Sequence, residues 1–272
     1  MIGKYTIDGE DAKVRLKDYD PDDTDGLSKE DVEAEYAKLQ EKVVELQDRF
    51  YASRSHGLLI VLQGMDCSGK DGTVKNAMTN LNPSGFRVET FKVPTPEESG
   101  HDYLWRIHRK TPLRGDITVF NRSYYEDVLV TRVHGQIDDE TAHRRFREIR
   151  DFEKYLVDNQ TVVLKFFLHI SKEFQKERLL SRLENPDKFW KFSEADLKER
   201  QKWDEYQSCY EDVLARCCTA DAPWHVVPAD HRWFRDYLVL KVLVKTLEDL
   251  DLSYPQPSEN IQALIREVVA SC

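Results

Sequence analysis

Residues Gly57 to Thr73 read GLLIVLQGMDCSGKDGT, an apolar run that ends in Gly64-x-x-x-x-Gly69-Lys70. Leu58 to Gln63 supply a buried strand, and Asp71 to Leu81 a helix with Val74, Met78 and Leu81 on one face. A glycine-rich turn between such elements aims backbone N–H groups at phosphate oxygens, while the lysine adds a point charge and the helix its positive dipole end. The spacing therefore predicts a nucleotide or another polyphosphate as ligand, with Gly64, Cys67, Ser68, Gly69, Lys70, Asp71, Gly72 and Thr73 around it. Three fixed positions match by accident roughly 0.1 times in a chain of this length, so the strand, loop and helix context carries the reading against a plain glycine turn.

Two positions depart from the usual form of such a loop. Asp71 follows the lysine where a Ser or Thr hydroxyl would ordinarily hold magnesium, so the metal must find other ligands. Asp66 lies inside the loop, where it repels phosphate unless a cation or a proton stands between them. A metal or base role is the preferred reading of Asp66, with a loop-shaping Asx turn as the alternative.

Residues 1 to 27 are polar, contain DPDDTDG at 20–26, and form an arm expected to drape over the surface. Ser28 followed by Asp31 signals a helix start. Val32, Tyr36, Leu39, Val43, Leu46 and Phe50 then recur at spacings of 4, 3, 4, 3 and 4, a narrow apolar stripe on a helix over about 28–54. Beyond the loop, strands at 86–93, 116–120, 161–169 and 224–227 alternate with helices at 96–110, about 140–157 and about 231–250, and Ser171 caps a further helix. This alternation implies an α/β fold of three layers, α/β/α, with a mostly parallel sheet whose ligands bind beyond the carboxyl ends of the strands. One domain over 28–255 with a tail at 256–272 accounts for 272 residues that are 40% hydrophobic.

The 50 acidic residues outnumber the 40 basic ones, giving a net charge of −10. That argues against a general nucleic-acid binder, because duplex phosphates call for a basic surface. Any polyanion must meet a local basic patch. Cys67, Cys209, Cys217, Cys218 and Cys272 show neither CxxC nor zinc spacing and read as free thiols. With no signal-like start and no apolar run of about 18 residues, the chain is expected to be soluble and cytoplasmic, with no membrane partner.

Polar and ionisable groups cluster where the third strand ends, in Asn121-Arg122-Ser123-Tyr124-Tyr125-Glu126-Asp127. An acidic residue at such a strand end commonly helps hold magnesium in phosphate-loop proteins, yet Asn121 is neutral. Arg122 and Arg132 are candidates to clamp phosphate, with structural ion pairs as the plain alternative. Tyr124 and Tyr125 read as core or pocket wall.

GMDCSGKDGT, NPSGF, HDYLWR, FNRSYYEDVLVTRVH, LKFFLHISKEFQKERL, NPDKFWKFSEADL and APWHVVPAD together resemble the family 2 polyphosphate kinases, over about residues 30 to 255. The resemblance implies a phosphate-loop kinase core with a helical lid, at about residues 183–200 here, and Mg²⁺-dependent phosphoryl transfer between inorganic polyphosphate and nucleotides. It implies that Asp66 and Lys70 are catalytic. Many members have Asp at the place of Asn121, whereas FNRSYYED is similar to the subgroup that phosphorylates both nucleoside mono- and diphosphates. Glu126 is then the carboxylate expected to join Asp66 at the metal. AMP and ADP are the expected acceptors, guanine nucleotides a further option, and a homo-oligomer the expected assembly. An ATP-dependent nucleoside monophosphate kinase and a non-catalytic nucleotide-binding protein are the competing readings.

Arg178 and Arg182 stand four residues apart on one helix face, and Lys188 and Lys191 follow near the break at Pro186. On an acidic protein this cationic stripe would guide a long polyanion, under a lid that excludes water. Exposed helices also carry such charges routinely. Arg106, in the helix after the second strand, and Lys75, one turn beyond the loop, are further phosphate candidates, while His101 and His134 read as packed or surface residues.

Overall fold

In the computed structural model, residues 1–7, 9, 12–257 and 260–271 are described. Five strands, β1 (Gly57–Gln63), β2 (Phe86–Thr90), β3 (Ile117–Asn121), β4 (Thr161–His169) and β5 (Trp224–Pro228), form one sheet in the order β2-β3-β1-β4-β5. All four pairings are parallel, with Leu58 opposite both Ile117 and Val162. Every residue of β1 is buried, as expected of a central strand with helices on both faces. The helices are α1 (Lys29–Ser53), α2 (Lys70–Ala77), α3 (Pro96–Ser99), α4 (Trp105–His108), α5 (Val130–Val133) and α6 (Asp139–Asp158), then α7 (Lys172–Leu183), α8 (Glu194–Gln201), α9 (Trp203–Arg216), α10 (Arg232–Glu248) and α11 (Ile261–Ala270). The result is the expected α/β/α arrangement, and β1 lies at the point where the strand order reverses, which places the loop after it at the ligand-binding rim.

Local signals set the main helices. Ser28 and Asp31 form a reciprocal capping box at the start of α1, and Val32, Val43, Leu46 and Phe50 of its stripe are buried as α1 packs on α10. Two expectations differ. The helix expected over 96–110 is two short helices, because the Asp102 carboxylate accepts from the Leu104 N–H at 3.0 Å and closes a turn between them. The N-terminal arm does more than drape: Tyr5, Ile7, Val14 and Leu16 are buried, Thr6 bridges His225 antiparallel to β5, and the Ile7 N–H donates to the Trp224 carbonyl at 2.9 Å. Its apolar residues are scattered among acids, which hides them from any periodicity. The tail contains α11, all of whose residues are exposed. Cys67, Cys209 and Cys217 are free thiols, the buried Cys218 Sγ lies 3.3 Å from the Ile7 carbonyl, and Cys272 lies outside the described residues.

Candidate active site

Where β1 ends, the backbone turns through two glycines in the left-handed half of conformational space, Gly64 at φ 152° and Gly69 at φ 96°. A Cβ at residue 69 would stand 1.9 Å from the Arg235 guanidinium, so only glycine fits. Arg235, buried on α10, donates to the Ser68 carbonyl at 3.2 Å and pairs with Asp236 at 2.7 Å, bracing the loop from behind. The Ser68 hydroxyl is buried and has no hydrogen-bond partner among the described residues, an idle donor inside a phosphate-type loop. Lys70 folds back on its own loop and donates to the carbonyls of Gly64 at 2.7 Å and Met65 at 3.2 Å. Burial, then the Arg122 charge, depress its pKa to about 8, while Asp66, Glu126 and Asp71 pull the other way.

At the end of β3 the chain enters the loop that carries Arg122, itself left-handed at φ 65°. Its guanidinium bridges two carboxylates, Asp66 Oδ1 at 2.5 Å and Glu126 Oε2 at 3.3 Å. Burial works against that charge, but Glu126 and Asp66 outweigh it and hold Arg122 firmly protonated. Next to them the Asn121 amide donates to Asp71 Oδ1 at 2.5 Å, so the acid missing from the strand end stands instead on the first turn of α2. Glu126 faces a narrow cavity of about 30 Å³ lined also by Gly64, Asp66, Arg122, Tyr206 and Tyr210. Its neighbour Asp127 faces the other way, into a cavity of about 530 Å³ with Arg106, Arg144 and Arg145. Burial pushes the Asp127 carboxyl up to about 6, with Arg106 and Arg145 opposing.

The four residues expected to be catalytic, Asp66, Lys70, Arg122 and Glu126, thus gather at one rim. Arg178 and Arg182 of α7 lie close enough to act electrostatically on the Cys67 thiol, and the Gln175 amide on the same helix donates to the Asp66 carbonyl at 3.0 Å. Arg182 also ties α7 to α8 through Asp196 at 3.1 Å and the Lys191 carbonyl at 3.0 Å, and Lys188 sits half-buried on the 3-10 turn between them. Arg106 is buried, with Nη1 on the Lys92 carbonyl at 2.8 Å and Nη2 3.8 Å from Asp127. Two candidates stand elsewhere. Arg132 is committed to Asp212 at 2.6 Å and Asp139 at 2.8 Å, which is the ion-pair alternative. Lys75 is exposed and lines a cavity of about 750 Å³ between α1, α2 and α10, with Tyr36, Arg232 and Asp236. Gly72 abuts Arg235, and Thr73 is buried behind the loop. Sequence reading missed Arg235 and Gln175; the only signal for Arg235 was a charge pair inside the apolar run of RWFRDYLVL.

Among the described residues no group of three or more His, Cys, Asp or Glu side chains is arranged to hold a metal. Mg²⁺ is commonly bound by one or two carboxylates completed by substrate phosphates and waters, and Asp66 with Glu126 at one guanidinium fits that donor set.

The sequence profile of the family described as Polyphosphate kinase 2 (PPK2) matches residues 26–255. An AMP/ADP-polyphosphate phosphotransferase of Meiothermus ruber is 46% identical over 267 residues, 97% of this chain and 99% of that protein. An ADP-polyphosphate phosphotransferase of Rhodopseudomonas palustris is 44% identical, over 79% of each chain. The crystal structure of Polyphosphate Kinase 2 from Arthrobacter aurescens TC1 superposes with a TM-score of 0.94 at 38% identity, covering 98% of this chain and 95% of that one. A profile match across most of the chain, relatives aligned along nearly their full length, and a shared backbone agree on one assignment: the chain belongs to the polyphosphate kinase 2 family.

Proposed function

We propose that this chain moves phosphoryl groups reversibly between inorganic polyphosphate and nucleotides, with AMP and ADP as acceptors and guanine nucleotides as the next class to test. The observation that carries the reading is the meeting of Asp66, Lys70, Arg122 and Glu126 where β1 and β3 end. The reaction requires that an acceptor phosphate oxygen form a bond to the terminal phosphorus of the chain as the bridging P–O bond breaks, leaving polyphosphate one unit shorter. Lys70, released from its loop carbonyls, neutralises charge on the migrating group together with Arg122. Asp66 orients the accepting phosphate and takes a proton from it when one is present. Asp66 and Glu126 would hold Mg²⁺, and that ion would supply relief of the phosphates' negative charge.

Arg178, Arg182 and Lys188 are read as guides for the polyanion, and residues 183–200 as a lid over it. The cavity holding Arg106, Asp127, Arg144 and Arg145 is read as the acceptor side. The free thiols of Cys67, Cys209 and Cys217 support a reducing, cytoplasmic setting, and the working form is taken to be a homo-oligomer.

Purified protein incubated with Mg²⁺, long-chain polyphosphate and either AMP or ADP should make ATP, and Asp66→Asn should lose that activity about 10²-fold or more. ATP formation by Asp66→Asn at the parent rate would refute the role of Asp66. Phosphorylation of AMP only with ATP as donor would replace the reading with a nucleoside monophosphate kinase.

A further inference from the structure

Lys165 interrupts the apolar strand β4 and Glu153 the inner face of α6, and their charges meet at 2.6 Å with 0% and 1% of the side chains exposed. Taking two charges out of water costs several kcal/mol per ion, so such a pair adds little stability beyond what apolar residues of like volume would give. Its hydrogen bonds are nonetheless complete. Glu153 Oε1 accepts from the hydroxyls of Tyr124 and Tyr125, both at 2.7 Å, and Oε2 accepts from Lys165. The Lys165 ammonium is shared further with the Cys217 carbonyl at 2.5 Å and the Tyr125 oxygen at 3.2 Å.

The two tyrosines are the link to chemistry. They occupy two of the three positions between Arg122 and Glu126, are wholly buried, and do not line the narrow cavity that Glu126 faces. A left-handed non-glycine residue such as Arg122 persists only where its surroundings over-determine the backbone. The ring contacts of Tyr124 with Phe152 and of Tyr125 with Trp224 hold the rings, but only the two hydroxyls fix them to a single point on α6.

We infer that Glu153, with its charge balanced by Lys165, is a positioning residue: by gripping both tyrosine hydroxyls it sets Arg122 and Glu126 in register with Asp66. The inference rests on the reading of Arg122, Glu126 and Asp66 as the reacting rim. Lys70, Arg178 and Arg182 lie outside this network, so loosening it leaves polyphosphate binding in place and slows the transfer step.

The test is Tyr124→Phe/Tyr125→Phe, which keeps both rings and removes both hydroxyls, compared with Glu126→Ala and with the three changes combined. The tyrosine variant should lose about 10- to 100-fold in kcat, with KM for polyphosphate and for ADP within about twofold of the parent. In the combined variant the tyrosine changes should add no more than about twofold to the Glu126→Ala loss, because they act through Glu126 and through Arg122, whose hold on Glu126 that variant already removes. A tyrosine variant with the parent kcat, beside an impaired Glu126→Ala, would overturn the inference and leave the site reading standing. Losses that multiply in full would overturn it equally, as general loosening of the core. A fully active Glu126→Ala would remove the rim assignment and the inference with it. If the double variant does not accumulate folded, the single Tyr→Phe variants are read the same way, each expected to lose about three- to tenfold in kcat.

Discussion

Lys70 gives the site a pH dependence that can be worked through in advance. Its pKa of about 8, against an ordinary 10.5, reflects first the burial of the ammonium in the loop and then the neighbouring Arg122 charge. Raising the pH from 8 to 9 therefore takes the free protein from about half to about one tenth competent, and kcat/KM for polyphosphate should fall about fivefold over that unit and about tenfold per unit beyond it. Once phosphate oxygens replace the loop carbonyls the ammonium regains its charge partner, so kcat should hold to about pH 9.5 or beyond. Stability moves in the opposite direction. The folded pKa lies below the unfolded one, so between about pH 8 and 10.5 the folded chain carries fewer protons, and stability contributed by this group rises across that window, by about 3 kcal/mol in all. Comparing urea unfolding of the parent with Lys70→Met across pH 7.5 to 10 isolates that contribution from other titrating groups. A kcat/KM profile flat to pH 10, or the same alkaline limb in Lys70→Arg, would refute the assignment.

Gly69→Ala should cost about 2–4 kcal/mol in chemical unfolding and abolish transfer, since the new Cβ meets the Arg235 guanidinium on a backbone that disfavours any side chain. Asn121→Asp sets a second carboxylate against Asp71, so the Tm of the variant should rise on adding millimolar Mg²⁺ by more than that of the parent; an equal response would argue that no cation reaches the pair. Arg132→Ala should lower Tm while leaving KM for polyphosphate within about twofold, whereas Arg178→Ala should raise that KM about fivefold or more with little change in Tm. His169 and His225 are held neutral by burial, with pKa values of about 4 against 6.5. Between those values the unfolded chain binds protons that the folded chain refuses, so stability should fall as pH drops through this range, and His225→Gln should lessen the loss in urea unfolding.

Much of this architecture was legible because it depends on short-range pattern. The buried run before Gly64, the stripe from Val32 to Phe50 and the largely apolar residues of 161–169, broken only at Lys165 before the closing His169, each declare their element, and the loop declares its ligand class. Asp66, Arg122 and Glu126 were legible as reactive types, but not the fact that one guanidinium would join them, because residues 66 and 122 meet only through the pairing of β1 with β3. Charges in apolar surroundings, Arg235 on α10 and Lys165 on β4, could be seen as anomalies, while their distant partners, the Ser68 carbonyl and Glu153, could not be named. Arg132 and Arg178 show the converse limit. Both were candidates for phosphate by residue type, and the pairing of Arg132 with Asp139 and Asp212, which the structure shows, is invisible in the sequence.

The way the first seven residues lie along β5 has a consequence for how the chain is made. An open strand edge invites pairing with another molecule, and β2 at the opposite border is shielded by the charges of Arg87 and Glu89. The border at β5 depends on a segment 219 residues away, which is synthesised first and seated last. A truncated chain lacking residues 1–7 therefore exposes an unguarded template, and clumping of such products would begin at that margin.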